Sequence, residues 1–334
     1  MSAKNDTLPL LLALALTGTV VGGGAWWLSR QFSSQPSAPT AGPGFQSAAN
    51  VPAGRFRYGG STTFAPIRDI VDREIMRQLP QFQLIYVDPI SGTPGSGKGI
   101  EMLIDNQLNL SQSSRPLKDS ERQSAEAKGF KLGEIPVAID GIAVAVNPAL
   151  NLPGLTVAQL KAIYTGKIKN WREVGGPDLP LTPYSRDPKD GGTVEFFQDQ
   201  VLEKEKFGAN VVYVHSTTPG LQKVSQDPGG IYYASAPELV PQCSVKPLPL
   251  GRKPGEWVAP YQAPFVPPAQ CPQGRNSLNK AAFQEATYPI TRNIFVIVKE
   301  DGGEQEQAGR AYGNLLLTQE GQRLIEQAGF VPLR

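Results

Sequence analysis

Histidine is almost missing from this chain of 334 residues: His215 stands alone, and cysteine is limited to Cys243 and Cys271. Zinc sites made of His and Cys clusters, and Cys–His catalytic pairs, therefore lack their raw material. Two cysteines are also too few for a small disulfide scaffold. A surplus of positive charge is absent as well. The 32 Lys and Arg face 30 Asp and Glu, a formal net charge of +2. A groove that tracks many nucleic-acid phosphates usually leaves a clear basic excess, so no nucleic-acid partner is expected. No internal repeat is visible. The lone His215 follows Val211–Val214 at a strand end, where a solvent-facing position is expected rather than a general base.

What is present is enough for real cores: 40% of the residues are hydrophobic and 19% charged. The length allows roughly two domains of ~150 residues. With 35 Gly and 31 Pro, loops and element boundaries should be many. From Leu8 to Leu28 the chain carries no charge. As a helix this stretch spans about 31 Å, which matches a hydrocarbon core of ~30 Å. Trp26 and Trp27 sit where an interfacial aromatic belt belongs. Residues 1–30 are therefore expected to be an uncleaved membrane anchor, with a cleaved signal as the competing reading. No Cys lies near the end of this stretch, which excludes a lipid-modified cysteine. Either way, the rest of the chain lies outside the cytoplasm. Gln31 to Pro52 is rich in Ser, Pro, Ala and Gly and reads as a linker, residues 31–54. The folded part is expected to begin near Arg55.

Beyond it, strand and helix patterns alternate. Phe56–Tyr58 reads as a strand. Ala65–Leu79 reads as a helix with Ile67, Ile70, Val71 and Ile75 on one face. Gln83–Val87 is a second strand, and a second helix opens at about Ile100. Ile135–Asn147 is an almost unbroken apolar run, as expected for a strand buried on both faces. Thr156 and Gln159 fit a capping box for the helix that carries Leu160 and Ile163. Tyr288–Val298 is another apolar strand, and Leu315–Ala328 reads as a closing helix. The alternation predicts a mainly parallel α/β sheet. Between Cys243 and Cys271 seven prolines leave little room for regular structure. In an oxidising compartment the two cysteines are expected to pair; two free thiols are the alternative.

Four turns are dense in hydrogen-bond donors. Gly60-Ser-Thr-Thr-Phe64 leads into a helix with Pro66 in its first turn. Gly92-Thr-Pro-Gly-Ser-Gly97-Lys98-Gly99 nearly matches a nucleotide-binding P-loop, but Gly99 stands where Ser or Thr would hold Mg²⁺. Ser113-Ser114-Arg115 follows a short apolar strand. Arg186-Asp-Pro-Lys-Asp-Gly-Gly192-Thr193 opens the helix Val194–Leu202. Each alone has an ordinary explanation, such as N-capping, a Gly-rich turn, or a surface ion pair of Arg186 with Asp187 or Asp190. Together they describe a convergent anion site of backbone N–H groups, hydroxyls and guanidinium. No base accompanies them, so binding is expected and catalysis is not. No cofactor and no metal are expected either.

The chain resembles the extracytoplasmic phosphate-binding proteins of bacterial ABC transporters. The resemblance runs from Arg55 to Arg334 through eight motifs in family order: Gly60–Phe64, Gly95–Gly99, Ser113–Leu117, Asp140–Asn147, Leu160–Trp171, Gly229–Tyr233, Tyr288–Arg292 and Glu320–Pro332. It implies the type 2 periplasmic-binding-protein fold, two α/β lobes joined by two crossing strands that serve as a hinge and close on the anion. Lobe one would hold residues 55–140 and 289–334, lobe two 141–288, with crossings near Ile139–Val144 and Tyr288–Ile294. The implied ligand residues are Thr62, Thr63, Phe64, Ser96, Ser114, Arg115, Arg186, Gly192 and Thr193. Many relatives carry an aspartate where Ser114 stands, and their Arg-to-Thr loop is one residue shorter and keeps a Ser that is Gly191 here. Asp140 or Asp190 would then have to supply the missing carboxylate. The implied function is capture of inorganic phosphate for ABC permease subunits, at the periplasmic face of the inner membrane. A membrane-tethered oxyanion sensor not coupled to transport is the alternative.

Overall fold

The computed structural model describes residues 43–189, 191–271 and 273–333. The expected anchor or signal segment, residues 1–30, lies outside the described residues. Among the described residues no helix is long and apolar enough to cross a membrane. The chain enters the fold earlier than its composition indicates. Phe45, inside the expected linker, is fully buried in the core of lobe one, and its N–H donates to Glu320. Burying one such ring is worth about 1.5–3 kcal/mol, enough to tie down a stretch that otherwise reads as spacer.

The first part of the chain supplies β1 (Gly54–Gly60), β2 (Phe82–Tyr86), β3 (Leu110–Ser113) and the 16-residue β4 (Lys131–Val146). The middle supplies β5 (Leu155–Thr156), β6 (Thr182–Arg186), β7 (Val212–Val214), β8 (Gly230–Ser235), β9 (Lys246–Leu248) and β10 (Leu250–Gly251); β11 (Thr291–Glu300) comes near the end. The described strands form a nine-stranded sheet in the order β2-β1-β3-β11-β4-β8-β6-β7, with β9 also on β4, and a separate β5–β10 pair. Pairing is mixed rather than mainly parallel. β1 runs parallel to β2 and β3, and β6 parallel to β7 and β8, but the crossing strands β4 and β11 run antiparallel to their neighbours. A chain that crosses between lobes twice must return in the opposite direction.

β4 changes partner in mid-strand. It pairs with β11 up to Gly141 and with β8 from Ile142 onward. The cores change at the same place. Ala138 belongs to the core that holds Phe56, Phe64 and Tyr312, whereas Ile142 belongs to the one that holds Leu160, Trp171 and Phe197. On the returning strand Tyr288 and Ile290 belong to the second core and Ile294 to the first. Residues 142–146 are all buried, the mark of a strand covered on both faces.

Local sequence signals explain most element ends. Thr156 Oγ1 accepts from Gln159 N–H at 3.1 Å while the Gln159 side chain accepts from Thr156 N–H at 2.9 Å, the reciprocal box the sequence predicts. The helix expected to open at Ile100 opens at Ser96 instead, as Ser96–Ile104. Its glycines serve a packing purpose: a Cβ on Gly99 would lie 2.3 Å from Gly60 Cα. The closing helix is in fact two, Glu304–Leu316 and Gln319–Gln327. Thr318 separates them by accepting from Gly321 N–H at 2.9 Å, a capping hydroxyl inside a run that looks uniformly helical. Cys243 and Cys271 are disulfide-bonded, with 5.6 Å between their Cα atoms. Between them the described elements are only β9, β10 and the short turn Pro268–Gln270.

Candidate functional site

The site lies where three turns of lobe one meet one turn of lobe two. β1 ends at Gly60, and Ser61 caps the turn Thr62–Phe64 by accepting from Thr63 N–H. Phe64 N–H is used within that turn, donating to Ser61 O at 3.2 Å, and its ring is buried in the core. The Ser61 hydroxyl donates to Ser114 Oγ at 3.0 Å, and Ser114 N–H donates to Ser96 Oγ at 3.0 Å. Three serines, all essentially buried, thus form one polar cluster at the tips of β1, β3 and the Ser96–Ile104 helix.

Lobe two meets this cluster through Gly192. A Cβ there would fall 2.2 Å from Ser96 Oγ and 2.5 Å from Ser114 Oγ, so no larger residue allows the two lobes this approach. Thr193 follows, with its hydroxyl 3.4 Å from that of Thr63 across the lobe boundary. A small cavity of about 20 Å³ opens beside the two threonines, lined by Thr62, Thr63, Arg186, Thr193, Tyr232 and Glu238 among others. It adjoins a vestibule of about 370 Å³ that shares Thr62, Arg186, Thr217 and Glu238.

Arg186 ends β6 and lines both spaces. Its Nε is buried without a hydrogen-bond partner among the described residues. The alternative surface pair with Asp187 does not form: Asp187 instead accepts from Lys189 N–H at 2.9 Å. A half-buried guanidinium with no acceptor among the described residues is costly unless something anionic meets it. Burial pushes the Tyr232 hydroxyl up to about 12, and raises Tyr233 as well, so both stay protonated. Burial also raises the Glu238 carboxyl, partly offset by the Thr217 hydroxyl that donates to it at 2.7 Å.

Arg115 departs from its expected role. Its guanidinium does not line the cavity. Nη1 and Nη2 bind the two oxygens of Glu121, Nη1 also donates to Pro116 O, and Nε binds Glu195 of lobe two. Arg115 is an ion-paired strut between lobes, with its donors spent on carboxylates. Lys98 likewise turns to Glu101, at 2.7 Å, and not into a phosphate cradle. His215 is exposed. Asp140 cannot serve as a free carboxylate at the site, because Ser235 donates to Oδ1 at 2.7 Å and Arg292 donates to Oδ2. Asp190 lies outside the described residues.

Arg292 is the residue the sequence does not single out. Both it and Asp140 are buried, and they face each other in the β4–β11 register where the strands cross. Arg292 Nη2 binds Asp140 at 2.7 Å and Thr193 Oγ1 at 2.9 Å, and approaches Thr63 Oγ1 at 3.4 Å. One guanidinium thereby orients the threonines of both lobes from the hinge. The available signal was a charge of each sign set within an apolar strand, since such charges are seldom buried unpaired. Among the described residues no group of three or more His, Cys, Asp or Glu is placed to hold a metal.

A sequence model of the PBP superfamily domain matches residues 33–320. The chain belongs to that superfamily. Within it, this chain is 28% identical over 286 residues to the phosphate-binding protein PstS of Staphylococcus haemolyticus, a match that covers 83% of this chain and 81% of the relative. It is 28% identical over 282 residues to protein SphX of Synechococcus elongatus, covering 82% and 76%. An ABC-type phosphate transport receptor from Vibrio cholerae superposes with a TM-score of 0.63 at 21% identity, covering 83% of this chain and 99% of that one. That likeness establishes the fold, the two-lobe α/β architecture of type 2 periplasmic binding proteins with its pair of crossing strands.

Proposed function

We propose that this protein captures inorganic phosphate outside the cytoplasm and delivers it to the permease subunits of an ABC transporter. The observation that carries the proposal is Arg186, whose guanidinium has a buried, unpartnered Nε and faces a cavity ringed by hydroxyls where the lobes meet. An oxyanion there would accept from Arg186 and from the hydroxyls of Thr62, Thr63 and Thr193. Backbone N–H groups of the Phe64 and Gly192 turns, and the Ser96–Ser114 cluster just behind them, would complete the donor set as the lobes adjust. The Staphylococcus protein is a phosphate-binding protein and the Vibrio protein a phosphate transport receptor, which agrees with this ligand.

In this proposal residues 55–140 with 289–334 form one jaw and 141–288 the other. The protein binds and releases its ligand and transforms nothing. Residues 1–30 keep it at the outer face of the cytoplasmic membrane. Membrane fractionation of the full chain beside a form lacking residues 1–30 tests the last point: loss of membrane association on truncation is expected.

Calorimetric titration with phosphate, arsenate, sulfate and molybdate tests the ligand. Micromolar or tighter phosphate binding is expected. Removing Arg186 would leave a buried anion short of its cation, a change that typically costs ~2–5 kcal/mol, so Arg186→Ala should weaken binding by roughly 30-fold to several thousand-fold. Arg186→Lys should recover only part, because an ammonium keeps the charge without the planar fork. Binding of another oxyanion in place of phosphate, or two variants that bind like the parent, would overturn the proposal.

A further inference from the structure

One carboxylate, that of Glu238, faces the cavity. Glu238 lies on the short helix Ala236–Leu239 that follows β8, and it lines both the small cavity and the vestibule together with Arg186. Its Oε2 accepts from Thr217 Oγ1 at 2.7 Å; its Oε1 makes no hydrogen bond among the described residues. The other carboxylate near the hinge, Asp140, has both oxygens engaged, and position 114 carries a serine. Glu238 is thus the one described carboxylate with an oxygen left to meet a ligand in this cavity.

We propose that Glu238 reads the proton on the bound anion: it admits an oxyanion that still carries a P–OH or As–OH hydrogen and turns away sulfate and molybdate, which carry none at neutral pH. The proposal rests on the cavity being an oxyanion site. An ionised carboxylate is an acceptor only. Against a protonated phosphate it gains a charge-assisted hydrogen bond, and against a fully ionised oxyanion it sets two acceptors of like charge in contact. Discrimination then comes from a repulsive element and not from a better fit, since sulfate and phosphate are nearly the same size.

The surroundings keep that acceptor poised. Burial raises the Glu238 carboxyl. Asp140 on β4 pushes the same way, while Arg186 on β6, Arg292 on β11 and the Thr217 hydroxyl pull it down. Tyr232 on β8 is protonated and adds no charge. Sulfate can enter only by bringing a proton to Glu238, so its affinity must depend on pH. Phosphate brings its own.

The test uses the full chain and both anions. Between pH 8 and pH 5.5, sulfate binding by the parent is expected to strengthen by up to about tenfold per pH unit, with one proton taken up per sulfate bound. Phosphate binding should show no comparable gain. Glu238→Gln offers an amide N–H at every pH, so its preference for phosphate over sulfate should fall by roughly 30-fold or more at pH 8, and its sulfate affinity should no longer follow pH. A parent that binds sulfate equally at pH 8 and 5.5, or a Glu238→Gln variant as selective as the parent, would sink the proposal and leave the phosphate site standing. A parent that binds neither anion would sink both. Should the variant melt far below the parent, the sulfate pH slope of the parent decides alone.

Discussion

Glu195→Gln isolates the energy of closing the jaws. Glu195 sits in the first turn of the Gly192–Phe196 helix on lobe two, yet its carboxylate binds Arg115 Nε and Lys118 Nζ of lobe one. The Lys118 pair, at 2.8 Å, involves a side chain 44% exposed, so solvent screening holds its worth below about 1 kcal/mol. The Arg115 side chain is only 4% exposed. Truncating a buried charged partner typically costs ~2–5 kcal/mol, but Glu121 continues to neutralise Arg115 and a glutamine carbonyl still accepts from Nε, so about 1–2 kcal/mol is expected. Because donor and acceptor belong to different lobes, the whole loss falls on the closed state. Phosphate affinity should drop roughly 5- to 30-fold, mainly through faster release. Stopped-flow dissociation with calorimetry at low and high salt measures both shares, since only the Lys118 share is strongly screened. Thermal melting of the ligand-free protein should be nearly unchanged. An affinity within twofold of the parent, or an equal loss of stability with and without phosphate, would refute the assignment of Glu195 to closure.

The hinge pair gives a sharper stability prediction. Asp140→Ala leaves the Arg292 charge buried and unpaired and should cost about 3–5 kcal/mol in denaturant titrations, whereas Asp140→Leu combined with Arg292→Met should recover most of it; a single variant as stable as the parent would contradict the burial of the pair. Asp72 predicts a pH dependence. It lies beneath the hydroxyls of Tyr58 and Tyr312, at 2.6 and 2.8 Å, and burial pushes its carboxyl from 3.8 up to about 7. The folded chain therefore holds a proton that the unfolded chain has released, and stability contributed below pH ~4 is lost as pH rises through ~7, by up to a few kcal/mol. Urea denaturation at pH 5, 6, 7 and 8 should show that slope in the parent and its absence in Asp72→Asn.

The sequence was most legible where a residue's own chemistry decides its place. Thr156 and Gln159 cap a helix as their spacing requires, the 135–147 run is fully buried from Asp140 onward although Pro136 before it is exposed, and the donor-rich turns carrying Thr63, Ser96, Ser114 and Thr193 do converge. It was least legible where a distant partner decides. Arg115 offers the same guanidinium as Arg186, and nothing local tells that Glu195, 80 residues on, engages one and leaves the other facing the cavity. Arg292 and Asp140 are 152 residues apart and meet only through strand register. Phe45 escaped notice because its neighbours have the composition of a spacer, and Thr318 because one capping hydroxyl hardly alters a helical period. Glu238 could be weighed only once the sheet had set it opposite Arg186.

The shared strand β4 also governs how this chain acquires its structure. Its first half finds its neighbour in β11, which lies more than 150 residues later in synthesis. Its second half pairs with β8 and β9, all available by Leu248. A chain growing from its N-terminus can therefore assemble the Trp171 and Phe197 core first, while Phe56, Phe64 and Val137 wait for Ile294, Tyr312 and Ile325. Long-range pairings of this kind carry a high contact order and slow the final step. Until roughly the last forty residues arrive, the β2-β1-β3 part of the jaw that grips the anion has no strand to join it to β4, so the order of translation, and not only the final energy, determines when this protein first becomes able to bind.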